Sequence, residues 1–390
     1  MTTTNKTKKP KKEWSKKEPE VFRYFNAKGE KLWGYRHRYY DTLGKRTEKS
    51  EQGLASENIA IRKLLEVKSA LINGNAKQVD NSNLTVSEWM DIWFETHQND
   101  WEITTQVQRE QAIRLNIKPL LGKQKLIELD RSTYKRKFIN VLLKTYEPST
   151  VYIIHATFKI AINAAVEDEI LPRNRFSKIK IELDSENDNF LNPAELKRFL
   201  TTAKEHEGIT NYSIILTLSY TGMRRGEALG LKWNNIDFDK KTITIERTRD
   251  EYGARKPKTK KSNRIIFVSD ILLNQLKAYR IWCKKIMLTF GKRWVESDFI
   301  FITDRGATPV SVKSVCEPVE RVIKKSGIKR ITPHGLRHTH ATIMISKGVP
   351  LQTVADRLGN TPEMILRVYG HTLKELEIES VKVFNDALNF

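Results

Sequence analysis

The chain has 390 residues, and its 69 Lys and Arg against 47 Asp and Glu give a formal net charge of +22. The length predicts two or three domains, and a hydrophobic fraction of 39% excludes a chain that is disordered throughout. The sequence has no run of about 18 apolar residues, as a membrane span requires, no secretory signal, and only two cysteines, too few for a disulfide framework. We therefore expect a cytoplasmic protein with a polyanionic partner, nucleic acid being favoured over an anionic membrane surface.

Residues 1–20 form a basic tail. The run MTTTNKTKKPKKEWSKK holds seven lysines and one glutamate and has few apolar side chains, which predicts disorder in the free protein. One function for such a tail is contact with DNA phosphates. The alternative is an extension that only keeps the protein soluble.

Residues 21–75 have a strand-like pattern followed by a helix. Turn signals at AKGEK and TLGKR predict three short strands, and a helix is expected from about Ser56 to Leu71. A small sheet with exposed basic and aromatic side chains can enter a DNA groove. The residues that we assign to DNA binding in this segment are Arg36, Arg38, Lys45 and Arg46. The alternative is that the aromatic residues only form the core of the sheet, as we expect for Trp33 and Tyr35.

Residues 84–180 are predicted to form a block of four or five helices between two polar linkers, 72–83 and 181–189. In the string LTVSEWMDIWFETH, large side chains recur at helical spacing. The helix face that they predict comprises Trp89, Ile92, Trp93 and Thr96.

Residues 190–390 combine many helices with a few strands. Asn192 is a natural helix N-cap, and Pro193 suits the first helical position. The strand-like strings DKKTITIERT and RIIFVS flank the run RKPKTKKSNR (255–264), which has six Lys and Arg and no acidic residue. A solvated hairpin tip can have this composition, but six like charges repel one another, which favours an anionic partner. The whole pattern predicts a mainly α fold with small β elements (α+β).

Three strings in this C-terminal half point to a chemical function: TGMRRGEALGLKW (221–233), PHGLRHTHAT (333–342) and RLGNTPEMILRVYGH (357–371). Each string alone has a structural interpretation, such as a helix start after a glycine turn or a basic surface helix. In this order and spacing, the strings resemble the tyrosine recombinase (phage integrase) family. The signature of that family is TGxR…E, a lysine on a β-hairpin, HxLRH, and LGH followed nine residues later by a tyrosine.

The resemblance implies a set of site residues. The catalytic residues would be Arg224, Lys258, His334, Arg337, Asn360 and Tyr369. Glu227 would support the first arginine, while Lys260 and Lys261 are alternatives for the hairpin lysine and are also assigned to DNA binding. Asn360 departs from the family pattern, which has His or sometimes Trp at this position. An Asn side chain hydrogen-bonds a phosphate oxygen or the tyrosine hydroxyl but carries no charge, so we predict a positioning role.

The chemistry of phosphodiester cleavage supports these assignments. Attack by a phenolate gives a pentavalent transition state with additional negative charge, and two planar guanidiniums suit its oxygens. Tyr369, with an ordinary pKa near ~10, needs a base within reach, for which His334 is the candidate. The departing 5′ oxygen needs a proton, which Lys258 would supply. We predict no metal and no cofactor, and the sequence has no GxxxxGK[ST] phosphate loop.

The resemblance also implies a domain organisation and partners. Residues 21–75 would be an arm-type DNA-binding domain, 84–180 a helical, SAM-like core-binding domain, and 190–390 a catalytic domain of the DNA breaking-rejoining type. The protein would integrate and excise a phage or conjugative element as a homotetramer on double-stranded DNA, at core and arm attachment sites. An excision factor and a host DNA-bending protein are further expected partners, no membrane is expected, and the location would be the nucleoid of a bacterial host.

Three alternatives remain at this point. Because of Asn360, the chain is open to interpretation as a catalytically weakened, recombinase-like DNA-binding protein. A type IB topoisomerase shares the tyrosine chemistry but lacks an arm-like N-terminus. His334, His338 and His340 lie close in sequence, as metal ligands can, but no Cys and no HExxH accompanies them.

Overall fold

The computed structural model describes residues 12–41, 44–183, 189–256 and 262–368. The chain divides into two compact units, Met1–Asp184 and Ser185–Phe390. Several predictions lie outside the described residues, namely those for most of the basic tail and for Lys258, Lys260, Lys261 and Tyr369.

The first unit begins with an antiparallel sheet whose strands follow the order of the chain. The strands are β1 (Glu13–Trp14), β2 (Val21–Phe25), β3 (Lys31–Tyr40) and β4 (Arg46–Leu54). Helix α1 (Glu57–Ile72) follows and packs on the sheet around a small core that contains Tyr35 and Leu64. The three predicted strands and the helix are confirmed, and the two-residue β1 extends the sheet by pairing with β2.

The segment between this sheet and the helical block is itself folded. Helix α2 (Ala76–Asp80) and a 3-10 turn (Asn81–Asn83) occupy most of the predicted linker. Tyr39 donates a hydrogen bond to Asp80, and Lys49 donates one to Ser82. Both bonds run from the sheet to residues 80–82, so the polar segment predicted as a linker is folded against the sheet.

Four helical runs make up the block that follows. They are α3 (Val86–His97), α4 and α5 (Ile103–Ala112, Lys118–Leu121) joined by a π-helical turn, α6 and α7 (Arg131–Tyr134, Asn140–Leu142) joined in the same way, and α8 (Pro148–Glu167). Their aromatic core includes Trp89 and Trp93 of α3, as predicted. Ile92 is instead 48% exposed, because the buried stripe of α3 runs through Val86 and Met90.

Helix α8 is the one helix among the described residues that is long and apolar enough to cross a membrane. Half of its apolar window is buried, and residues such as Phe158 and Ile162 belong to the core of the helical block. Its apolar composition is therefore accounted for by packing within the first unit.

The second unit is mainly helical and carries two small antiparallel sheets. Its helices are α9 (Pro193–His206), α10 (Ile209–Thr221), α11 (Arg225–Leu229), α12 (Asp270–Thr289), α13 (Lys313–Ser326), α14 (Pro333–Ser346), α15 (Leu351–Leu358) and α16 (362–368). Its strands are β5 (Ile236–Asp237), β6 (Thr242–Ile245) and β9 (Arg264–Phe267) in one sheet, and β7 (Thr248–Asp250) and β8 (Gly253–Arg255) in the other. The predicted strands on either side of the basic run thus pair as β6 and β9.

Helix ends in this unit fix the positions of the site residues. The side chain of Asn192 caps α9 by accepting from Glu195, and Pro193 is its first residue, as predicted. Helices α10 and α15 end at Gly222 and Gly359, both with positive φ, which glycine adopts without steric cost. The chain therefore turns sharply just before Arg224 and just before Asn360.

Candidate active site

Arg224 is the N-cap residue of α11 and is held from two sides. Its Nη1 donates to Oε1 of Glu227 at 2.9 Å, and its Nη2 donates to Oδ1 of Asn360 at 2.7 Å. Its backbone N–H donates to Oε2 of Glu227, also at 2.9 Å. The guanidinium remains 39% exposed, so it is fixed in direction and still accessible to a ligand.

Glu227 is buried and accepts from a second arginine as well. Nη2 of Arg264 lies 2.8 Å from Oε2, and Nη1 of Arg264 lies 3.3 Å from Oε1. Burial alone would raise the pKa of Glu227, but the hydrogen bonds and charges of Arg264 and Arg224 more than offset this and lower it. Glu227 is therefore a carboxylate at neutral pH, and it contacts Arg224, the residue that it was predicted to support.

Arg337 projects from α14 into the interior and joins two loops. Its Nη1 donates to the carbonyl oxygen of Gly222 at 2.9 Å, and its Nη2 donates to that of Leu358 at 2.8 Å. These carbonyls lie two residues before Arg224 and two residues before Asn360. The structure thus brings Arg224, Arg337 and Asn360 together, although they are far apart in sequence.

The contact with Arg224 settles the orientation of the Asn360 amide. A guanidinium only donates, so the oxygen of Asn360 must face Arg224. The amide nitrogen is then the group that is left to donate to a phosphate oxygen or a hydroxyl. Asn360 is accordingly built into the cluster of predicted residues.

His334 lies at the edge of a cavity of about 460 Å³ that Arg224, Arg225 and Cys316 also line. Its ring is at right angles to that of His338, with the centroids 4.7 Å apart. Partial burial and the positive charges of its neighbours, His338 and Arg337 first among them, lower the pKa of His334 to about 4. The imidazole is therefore neutral at pH 7 and able to accept a proton.

The sequence did not reveal the layer of residues behind these groups. Arg357 donates to Nε2 of His340 and to the carbonyl oxygens of Tyr220 and Phe267. His340 in turn contacts the carbonyl oxygen of Ser219 through Nδ1 at 3.0 Å. Arg357 thus ties α10, α14 and β9 together beneath the cluster. In the sequence, Arg357 was distinguished only by its position next to the glycine turn at 358–360.

These contacts bear on one of the three histidines that the sequence offered as metal ligands. Both ring nitrogens of His340 are engaged within the protein, which leaves it without a lone pair for a metal. Over the part of the chain that the structure describes, no group of three His, Cys, Asp or Glu is arranged to hold a metal ion. The positive charge that a bound phosphate would contact at this site is that of the guanidinium groups.

The predicted DNA-binding residues of the first unit lie on or near one face of the sheet. Side chains alternate along β3, so Tyr35 packs against α1 while Arg36 and Arg38 point to the opposite face. The Nε atoms of both arginines lie near Glu48, at 3.0 and 3.4 Å. Arg46 is on the same exposed face, and Lys45 is exposed in the preceding turn.

The basic run 255–264 is less available to a partner than its composition suggested. Arg264 has only 6% of its side chain exposed, because it is paired with Glu227. Arg255 is paired with Asp250 across β7 and β8. Lys256 is described and exposed, and the three other lysines of the run lie outside the described residues.

Comparisons with known proteins agree with this site. Residues 189–375 match the phage integrase family, and residues 85–143 match the phage integrase N-terminal SAM-like domain. A XerC-like tyrosine recombinase of Caldanaerobacter subterraneus is 29% identical over 82% of this chain and 88% of its own length. The integrase named ICEBs1 integrase, of Bacillus subtilis, is 26% identical over 58% of this chain and 62% of its own.

The fold is that of a solved integrase as well. The Tn1549 transposon integrase in complex with transposon right end DNA aligns with a TM-score of 0.67 and 20% identity, over 79% of this chain and all of that one. The family models and the curated relatives are those of tyrosine recombinases, which break and rejoin DNA. The chain belongs to the phage integrase family of tyrosine recombinases.

Proposed function

We propose that the chain is a site-specific recombinase that integrates and excises a phage or conjugative element through a 3′-phosphotyrosyl intermediate. The observation that carries this proposal is the joining of loops 222–224 and 358–360 by Arg337 and Arg224. Arg224 is partly exposed and the amide nitrogen of Asn360 lies beside it, while the buried Arg337 holds the two loops that carry them. That donor set suits a phosphodiester, whose charge increases on attack.

In the proposed reaction, the phenolic oxygen of Tyr369 attacks the phosphorus and loses its proton to His334. The bond from phosphorus to the 5′ oxygen breaks, and Lys258 protonates that oxygen, which leaves a 5′ hydroxyl and a 3′-phosphotyrosine. The neutral state of His334 supports its role as the acceptor. The roles of Tyr369 and Lys258 rest on their positions in the family signature.

The second half of the reaction reverses the first with a new strand. The 5′ hydroxyl of a partner duplex attacks the phosphotyrosine, and Tyr369 leaves with its proton restored. Because the phosphotyrosine bond conserves the energy of the cut phosphodiester, no nucleotide is consumed. Exchange of both strands needs four active sites, so we propose a homotetramer on two duplexes.

Domain roles follow the same proposal. Residues 21–75 would bind arm sites, 84–180 core sites, and 190–390 would cut and rejoin the DNA, with the tail 1–20 adding phosphate contacts. The exposed basic residues of β3 and β4 support the first assignment, and the match to an integrase SAM-like domain supports the second. An excision factor and a host DNA-bending protein are proposed partners, and the nucleoid of a bacterial cell is the proposed location.

We favour an active enzyme over a weakened, DNA-binding relative. Asn360 is the one residue that favours loss of activity, and its contact with Arg224 supports a positioning role for it. Its amide nitrogen supplies the hydrogen bond that a histidine would provide at this position, without the charge.

The variant Arg224→Lys tests the proposed role of the cluster. A lysine cannot pair with Glu227 and Asn360 while facing a phosphate, so we expect cleavage of a core-site suicide substrate to slow by about 100-fold. DNA affinity should change by less than about threefold, because one phosphate contact among many is altered. Arg321→Lys is the matched control, since Arg321 forms a bidentate pair with Glu207 elsewhere in the unit. Cleavage by Arg224→Lys at the rate of the control would contradict the assignment.

A further inference from the structure

Arg264 faces the side of Glu227 that is turned away from the cavity. Both of its terminal nitrogens donate to the carboxylate, and only 6% of the side chain is exposed. Each oxygen of Glu227 therefore accepts from Arg264 and from Arg224 at once. The carboxylate is a bridge between an exposed guanidinium and a buried one.

The Glu227 carboxylate carries one negative charge, which is fewer than the positive charges that contact it. The charged groups that contact the Glu227 carboxylate among the described residues are Arg224, from the start of α11, and Arg264, from β9. Two positive charges thus share one negative charge. With Arg264 in place, Glu227 orients Arg224 without cancelling its charge, which stays available to a phosphate. Without Arg264, the full carboxylate charge would act on Arg224 alone.

Arg264 is itself anchored independently of the cavity. Its Nε donates to the carbonyl oxygen of Arg357 at 2.7 Å, and its Nη1 donates to that of Ser262 at 3.0 Å. Arg357 is fixed in turn by His340 and two main-chain carbonyls. The guanidinium of Arg264 is therefore a rigid, buried support for Glu227.

We propose that Arg264 is a positioning residue for DNA cleavage, which holds Glu227 in place and keeps the charge of Arg224 available for the phosphate. This inference rests on the proposed function of the site. It differs from the interpretation of the basic run as a DNA contact, because Arg264 acts through Glu227 and touches no phosphate.

The experiment compares Arg264→Met with wild type in two assays, DNA affinity as a function of salt and single-turnover cleavage of a suicide substrate. We expect cleavage to slow by about 100-fold, with the affinity and its salt slope unchanged. Arg264→Lys keeps a positive charge but not the two-point contact, so it should recover part of the rate. Arg321→Met, which removes a bidentate partner from Glu207, is the control for breaking an Arg–Glu pair.

The pH profile separates positioning from simple destabilisation. Burial raises the pKa of Glu227, and Arg264 is the main group that lowers it. In Arg264→Met that pKa should rise, since Arg224 alone remains to offset burial. Cleavage by the variant should then fall on acidification at a pH where wild-type cleavage is constant. Arg321→Met should keep the wild-type profile.

Three results would overturn the inference. The first is cleavage by Arg264→Met at the wild-type rate and with the wild-type pH profile. The second is a salt slope reduced by about one, which would make Arg264 a phosphate contact. The third is an equal loss of cleavage in Arg321→Met, which would make the effect one of general stability.

If Arg264→Met does not fold, the test passes to Arg264→Lys, and cleavage by that variant at the wild-type rate would contradict the inference. Failure of wild type itself to cleave would refute the proposed function instead.

Discussion

Gly222 illustrates how much of the site is fixed at the scale of single residues. Its φ is +64°, and a Cβ at this position would lie 2.7 Å from Cδ2 of Leu358 and 2.8 Å from Cδ2 of His340. Only glycine satisfies both the turn and this close packing. The sequence predicted a turn here, but the two contacting side chains are more than a hundred residues away and gave no local signal.

The same reason separates the site residues that were predicted from those that were missed. Arg224 and Arg337 stand in short strings that become informative when their order and spacing are considered together. Arg264 is 37 residues from Glu227, and its bond to Arg357 spans 93 residues. Ion pairs of this kind depend on tertiary packing, so a surface basic run and a buried positioning arginine look alike in sequence.

The lowered pKa of His334 gives a prediction for the pH dependence of cleavage. Its neutral form persists down to about pH 4, so acidification should protonate it only far below the ordinary histidine value of about 6.5. Burial and the titratable groups around it, His338, Arg337, Arg224 and Arg225, all disfavour protonation. We expect the single-turnover cleavage rate to show no acid limb near pH 6.5. A limb near about 6.5 that disappears in His334→Gln would contradict this.

At the scale of elements, short-range sequence patterns predicted those helices, caps and strands that are determined by neighbouring residues. The cap at Asn192, the strands on either side of the basic run and helix α3 all follow from short-range patterns. Ile92 shares the helical spacing of Trp89 and Trp93 but is 48% exposed, because spacing alone does not fix which side chains the rest of the block covers. Residues 72–83 look like a linker since they are polar, yet their contacts with β3 and β4 order them.

The sheet of the first unit yields a prediction at this scale. If Arg36 and Arg38 contact phosphates, replacing both with alanine should reduce the salt slope of arm-site binding by about two. Arg62→Ala is the control, because Arg62 lies on α1, which packs on the other face of the sheet. Fluorescence anisotropy over a salt series measures both slopes. Equal slopes for the double variant and the control would remove these two arginines from the DNA-binding surface.

At the scale of the whole molecule, charge and composition identified the class of partner before any motif was considered. A net charge of +22 in a chain with a large apolar core favours a polyanion, and the family of the chain acts on DNA. Composition gave no information about the reaction, because the reaction depends on the placement of a few groups in the second unit. The boundary between the two units falls in the polar segment 181–189, whereas the polar segment 72–83 lies within the first unit and contains a short helix.

The most direct measurement is a covalent trap. Wild-type protein and Tyr369→Phe are incubated with element and host DNA fragments in EDTA, denatured with SDS, and the DNA that remains attached to protein is sequenced. We predict adducts with wild type only, enriched at one sequence and formed without metal. Adducts in Tyr369→Phe, adducts without sequence enrichment, or DNA binding without any wild-type adduct would each contradict a site-specific tyrosine recombinase.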